Sequence, residues 1–161
     1  MSQIIAVKMN TLEVQQFLNL NNNKKNENVM LACAIDQLPS KLKKNIKYGF
    51  VINLSISAES GTHWCGLFID KNRNAIWLDS FAFKPRGFYI ENFIRKNCKT
   101  FNYNKTQLQQ INSSVCGMYA SLFIIHMMNG GTLKGFTNQF SKNLLLNDLI
   151  IRNRHALSLR K

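Results

Sequence analysis

Carboxylates are scarce in this chain: 8 Asp and Glu stand against 21 Lys and Arg, a formal charge of +13 on 161 residues. So large an excess of one sign points to a polyanionic partner, most often nucleic acid. Lys and Asn cluster together, as in Asn21-Asn22-Asn23-Lys24-Lys25-Asn26. Because both have AT-rich codons, part of the bias can also come from genome composition. Paired cysteines are missing as well. The four cysteines, at 33, 65, 98 and 116, sit in unlike contexts without CxxC or CxxxH spacing, which argues against a disulfide framework and a zinc site and for a reducing compartment. Long apolar runs are also lacking. The longest, Met118 to Met128, covers about eleven residues, too few to cross a bilayer. Met1 to Asn10 has neither the long apolar region nor the small-residue cleavage site of a signal peptide. We find no internal repeat. The expectation is a monomeric protein that is neither secreted nor membrane-bound, folded as one domain over residues 1–161, with 45% hydrophobic and 11% aromatic residues to close its core.

The apolar spacing of Thr11 to Leu18 predicts a short opening helix, capped by Thr11. The polar run Asn21 to Asn28 reads as a loop, and Leu31 to Leu38 is an apolar stretch stopped by Pro39. Phe50 to Ile56, His63 to Ile69 and Ala75 to Phe81 read as strands, separated by turns at Glu59-Ser60-Gly61 and Lys71-Asn72-Arg73-Asn74. A helix over Phe88 to Ile94, a short strand over Thr100 to Tyr103 and a buried helix from about Ser114 to Met128 follow. Leu144 to Leu159, with Arg152, Arg154 and Arg160, reads as a basic amphipathic helix. Together these give an α+β domain, an antiparallel or mixed sheet packed against a central helix that carries Cys116 at its amino end.

That position matters chemically. Free N–H groups and the macrodipole at a helix amino end stabilise a thiolate, and with a histidine beside it a thiol near 8.5 can fall to roughly 3.5 to 7.5. His63 opens one strand of a hairpin and Asp79 closes the next, so the two ends are neighbours despite their separation in sequence. Thiol hydrolysis needs a nucleophile, a proton acceptor, a group orienting the imidazole and an oxyanion donor. Cys116, His63, Asp79 and Gln110 supply one of each, and Gly117 would leave room for substrate backbone. Singly, each has a plain structural reading: a small buried hydrophobe, a packed ring, a turn residue. The same reading holds for Cys33, Cys65 and His126 as core residues. The combination, in one order and with Gln-x-Asn-x-x-x-Cys-Gly spacing, points to catalysis.

Gly61-Thr62-His63-Trp64, Asp79-Ser80-Phe81 and Gln110-Ile111-Asn112-Ser113-Ser114-Val115-Cys116-Gly117, followed by an apolar helix, resemble the adenovirus maturation protease (adenain) and the related SUMO-specific proteases. The order His, Asp, Gln, Cys is theirs; papain-like enzymes place Cys before His. The likeness runs over about residues 30–128, with Ile52-Asn53 and a weaker match at Ile35-Asp36-Gln37-Leu38-Pro39 upstream. It implies an adenain-like cysteine protease fold, with Cys116 as nucleophile, His63 as general base and acid, Asp79 as imidazole partner and Gln110 as oxyanion donor, and no metal. Asp79 departs from the adenoviral Glu and agrees with the SUMO proteases. The resemblance further implies a viral endopeptidase that trims capsid or core precursors at glycine-containing sites, in the virion or at the intracellular site of assembly. DNA and an activating viral peptide are its implied cofactors, the peptide through a disulfide at Cys98. Deconjugation of ubiquitin-like proteins is the alternative enzymatic reading. A non-enzymatic DNA-binding core protein, using Lys41 to Lys44, Arg95-Lys96 and the last helix, is the alternative outside catalysis.

Overall fold

The computed structural model describes residues 8–58 and 62–160, so the turn expected at Glu59-Ser60-Gly61 lies outside the described residues. Five strands form one mixed sheet in sequence order: β1 (Asn28–Ala34), β2 (Lys47–Asn53), β3 (Trp64–Ile69), β4 (Asn74–Leu78) and β5 (Thr100–Tyr103). The outer pairs are parallel and the two inner pairings antiparallel. Four strands therefore run one way and β3 alone runs back. Their carboxyl ends and the start of β3 meet at one end of the sheet.

Both faces of the sheet are covered, because β2 and β3 send alternate apolar side chains to opposite sides. Val51, Phe68 and Leu78 pack under α3 (Cys116–Met128) and α1 (Thr11–Leu20). Phe50, Ile52, Leu67, Ile69 and Trp77 pack with Ile90 and Phe93 of α2 (Phe88–Asn97). The central helix can lie this close because Gly66 lacks a side chain: a Cβ there would sit 2.7 Å from the Phe123 ring. On β1, one of the two edge strands, the Gln15 side chain of α1 donates to Met30 O at 3.1 Å and accepts from Ala32 N at 2.8 Å. The open backbone is thus partly paired, which blunts edge-to-edge association.

Several boundaries differ from expectation, each for a local reason. Asn10, not Thr11, caps α1, accepting from Glu13 N at 2.9 Å. Strand β2 starts at Lys47 and stops at Asn53, whose side chain accepts from Ser55 N and Thr62 N and turns the chain. Strand β4 stops at Leu78 because a turn follows, closed by Ala82 N to Asp79 O at 2.8 Å with Ala82 at φ 65°. Helix α3 starts at Cys116 rather than Ser114, and a short helix α4 (Leu133–Thr137) was not anticipated.

Helix α5 (Leu144–Ser158) is present with Arg154 outward, yet its inward face is largely polar. Leu145, Leu146, Leu149 and Leu157 face solvent, while Asn147, Asp148, Ile151 and His155 are buried. His126 is only partly buried: its ring packs on Phe136 and its Nε2 lies 2.9 Å from Thr132 O. No helix among the described residues is long and apolar enough to cross a membrane.

Gly66→Ala should destabilise the fold by about 1–3 kcal/mol, since overpacking must displace Phe123 or lift α3. Urea denaturation of both proteins checks this. An unchanged midpoint would mean that the helix accommodates the methyl group freely.

Candidate active site

His63 directly precedes β3 and Asp79 directly follows β4. The register of the hairpin, Gly66 opposite Leu78, carries these two flanking positions to the same end of the sheet. There His63 Nε2 lies 2.8 Å from Asp79 Oδ1, with side chains 15% and 3% exposed. Nδ1 of the imidazole is not engaged by Asp79, and the Cys116 sulfur lies close enough to the ring for each group to shift the other's pKa. Helix α3 places that sulfur by its first residue, so three side chains from three elements converge on one point.

Asp79 is held from several directions. Its N–H donates to Asn104 Oδ1 at 3.0 Å, and Asn104 Nδ2 donates back to its carbonyl at 2.7 Å. Phe81 N donates to Oδ1 at 2.8 Å, and the Phe81 ring stacks on the His63 imidazole at 4.8 Å between centroids. Behind the pair lies the fully buried Cys65 thiol, its sulfur within 4.8 Å of the His63 and Asp79 ligand atoms. Asn104 fixes the backbone of Asp79 and the Phe81 N–H fixes its carboxylate, so the imidazole it holds is oriented in turn.

The electrostatics separate Cys116 from the other three cysteines. Burial alone would raise its pKa. The neighbouring His63 ring with its imidazolium charge and the backbone N–H groups of Trp64 and Gly117 outweigh burial and hold the thiol below its ordinary value. For His63, burial works against the charged form, but Asp79 and Cys116 prevail and raise it to about 9. Cys33 and Cys98 have no such partners, and burial pushes them up to about 12 and about 11. Cys65 is pushed well up, first by burial and then by the charges of Asp79 and Cys116. All four are free thiols.

Gln110 sits on the loop entering α3, and its side-chain amide has no hydrogen-bond partner among the described residues. The preceding Gln109 is different: it is fully buried, accepts from Ser80 Oγ at 2.5 Å and donates to Ser113 O and Oγ at 2.9 and 3.0 Å. Of the two glutamines, therefore, only Gln110 keeps its amide available. Gly117 departs from expectation. It is buried and turned inward, where a Cβ would meet the Trp64 ring at 3.2 Å and Met9 at 3.4 Å. Its missing side chain lets the helix start dock on Trp64, whose indole donates to Met9 O at 3.0 Å, rather than making room for substrate.

His63, Cys65 and Asp79 are the trio among the described residues whose ligand atoms, all within 4.8 Å of one another, could meet on a metal ion. The donor set fits poorly: metal binding needs a thiolate, and burial opposes one at Cys65. Asn104 and Gln109 escaped the sequence reading, which took Cys65 as a core residue and Phe81 only as part of the Asp79-Ser80-Phe81 motif. Only the adjacency of Gln109 to Gln110 offered any signal.

The chain is similar to a protein of Acanthamoeba polyphaga mimivirus named by inference as a thiol protease, 29% identical over 109 residues, 62% of this chain and 35% of that one. It thus spans about a third of that relative's length. No family model matches the chain. Among solved structures, the SUMO protease Ulp1 with its catalytic cysteine oxidised to a sulfonic acid superposes with a TM-score of 0.56 at 15% identity, over 98% of this chain and 80% of that one. The central domain of a Legionella pneumophila protein gives 0.52 at 10% identity, over 96% and 99%.

If the sulfur is a thiolate paired with imidazolium, its alkylation by iodoacetamide should stay fast well below the ordinary thiol pKa. The paired form should disappear as pH rises through about 9, where His63 loses its proton. The acid limb should move up toward the ordinary thiol value, near 8.5, in His63→Ala. A wild-type profile with a single rise near 8.5 would refute the pair.

Proposed function

Starting from a chain with the fold of the SUMO protease Ulp1 and a sequence similar to a viral thiol protease, we propose that it is a cysteine endopeptidase. One observation carries the reading: His63 joins Asp79 at 2.8 Å through Nε2, beside the Cys116 sulfur, whose pKa it holds below the ordinary thiol value. In the proposed reaction Cys116 thiolate attacks the scissile carbonyl and His63 hands its proton to the departing amine. Water, deprotonated by His63, then hydrolyses the thioester and returns the enzyme to its starting state. Asp79 holds the ring throughout. Gln110 and the Cys116 N–H, which has no acceptor in the first helical turn, stabilise the oxyanion.

The substrates we propose are viral structural precursors, cut at glycine-containing sites during particle assembly. The likeness to Ulp1, together with Asp79 at the carboxylate position, favours a second reading, removal of ubiquitin-like proteins from their conjugates. Precursor proteins from the same genome, incubated with wild type and with Cys116→Ala, should yield new termini at glycine only with wild type, read by mass spectrometry. Cleavage confined to fluorogenic SUMO or ubiquitin conjugates would replace the first reading with the second. Equal processing by both proteins would remove the hydrolase itself.

DNA binding is part of the proposal. Lys43, Lys44, Lys47, Lys71, Arg73 and Lys99 gather at the end of the sheet remote from Cys116, linked by Arg73 to Lys43 O and by Lys99 N to Arg73 O. None of them pairs with a carboxylate among the described residues, where His63 and Asp79 make the one ion pair. Neutralising about six phosphates predicts a slope near minus five for log affinity against log salt. A salt-independent affinity for duplex DNA would contradict this electrostatic account. An activating peptide joined at Cys98 is a further proposal, to be abandoned if Cys98→Ser responds to every viral peptide as wild type does.

A further inference from the structure

Helix α5 reaches the active-site loop through two buried polar side chains. Asp148, 3% exposed, accepts from Gln110 N at 3.4 Å through Oδ2 and from Tyr119 OH of α3 at 2.8 Å through Oδ1. Its neighbour Asn147, fully buried, donates to Leu108 O at 3.1 Å and to Ser141 O at 2.8 Å. From the other side, Leu108 N and Gln109 N both donate to Ser80 O, at 2.8 and 3.1 Å, beside Asp79. Gln110 O accepts from Ser113 N at 3.1 Å. Both backbone polar groups of Gln110 are thereby engaged, and only its side-chain amide is left open.

Burying a carboxylate is costly unless donors compensate it. A leucine at 148, like those at 145, 146 and 149, would have served a purely packing helix. The charge stands where it grips the one backbone N–H whose position sets the aim of the Gln110 amide, and it ties that N–H to α3, the helix carrying Cys116. We infer that Asp148 is a positioning residue for the oxyanion donor: through Gln110 N and Tyr119 OH it fixes the distance between the Gln110 amide and the sulfur. Asp148 touches no reacting atom. A donor displaced by as little as 1 Å loses on the order of a hundredfold in rate, so a hydrogen bond to the backbone carrying that donor is a kinetic device as well as a structural one. The inference rests on the hydrolase reading above and extends it to a helix outside the resemblance.

The test uses two reagents on the full chain. A glycyl-glycinal peptide aldehyde adds to Cys116 as a hemithioacetal and so measures oxyanion stabilisation, whereas iodoacetamide alkylates the same sulfur without forming an oxyanion. Asp148→Ala should weaken aldehyde binding, and kcat on a Gly-Gly-aminomethylcoumarin peptide, by about tenfold to a hundredfold. KM and the alkylation rate should stay within about twofold of wild type. In a Gln110→Ala background the same substitution should cost less than about threefold, because nothing remains for it to position. Tyr119→Phe, which keeps the ring in the core, should shift aldehyde binding in the same direction by a smaller factor and decides the matter should Asp148→Ala fail to fold. An undiminished cost in Gln110→Ala, or a parallel loss of alkylation, would overturn the inference while leaving the hydrolase intact. Wild type that neither binds the aldehyde nor cleaves the peptide, yet is alkylated, would overturn both.

Discussion

Everything at the site depends on one short contact, His63 Nε2 to Asp79 Oδ1 at 2.8 Å, in a place where both partners are largely out of water. A buried carboxylate and a buried imidazole are each costly alone, and together they are tolerable only when the remaining lone pairs and protons are satisfied. The Phe81 N–H satisfies the Asp79 carboxylate, and Asn104 holds the backbone that carries it. Strand register brings the two residues together, and the surrounding donors keep them from separating. The mixed sheet can thus be viewed as a frame whose four co-directed strands end where this contact begins.

The same contact explains why Cys116 behaves so differently from the other three cysteines. Removal from water disfavours a thiolate everywhere, and Cys33, Cys65 and Cys98 all shift upward for that reason. Cys116 alone has an imidazole held beside it by a carboxylate, together with backbone N–H groups near the sulfur, and it shifts downward. Reactivity here is a property of the surroundings, not of exposure: Cys116 is 4% exposed, less accessible than Cys98.

Helix α5 shows where sequence reasoning misleads. The leucines of Leu144 to Leu159 repeat at helical spacing, and the helix is there, but most of them face outward. Periodicity reports that one stripe differs from another; it does not report which stripe meets the protein. Asn147 and Asp148 are turned inward because unpaired backbone groups around Leu108 and Gln110 await them, a demand set by a loop some forty residues away.

Chain order and spacing by themselves were enough to indicate an α+β sheet with a thiol at the head of a buried helix, and the candidates His63, Asp79, Gln110 and Cys116. They suffice because strand alternation, hairpin turns and helix starts are local rules, written within a few residues. What only the folded chain decided is how these side chains are aimed: the Nε2 bond to Asp79, the free amide of Gln110 beside the fully bonded Gln109, the inward Gly117 and the polar face of α5. Each depends on groups distant in sequence whose hydrogen-bonding needs are settled only when buried together, and no local pattern encodes such a partnership.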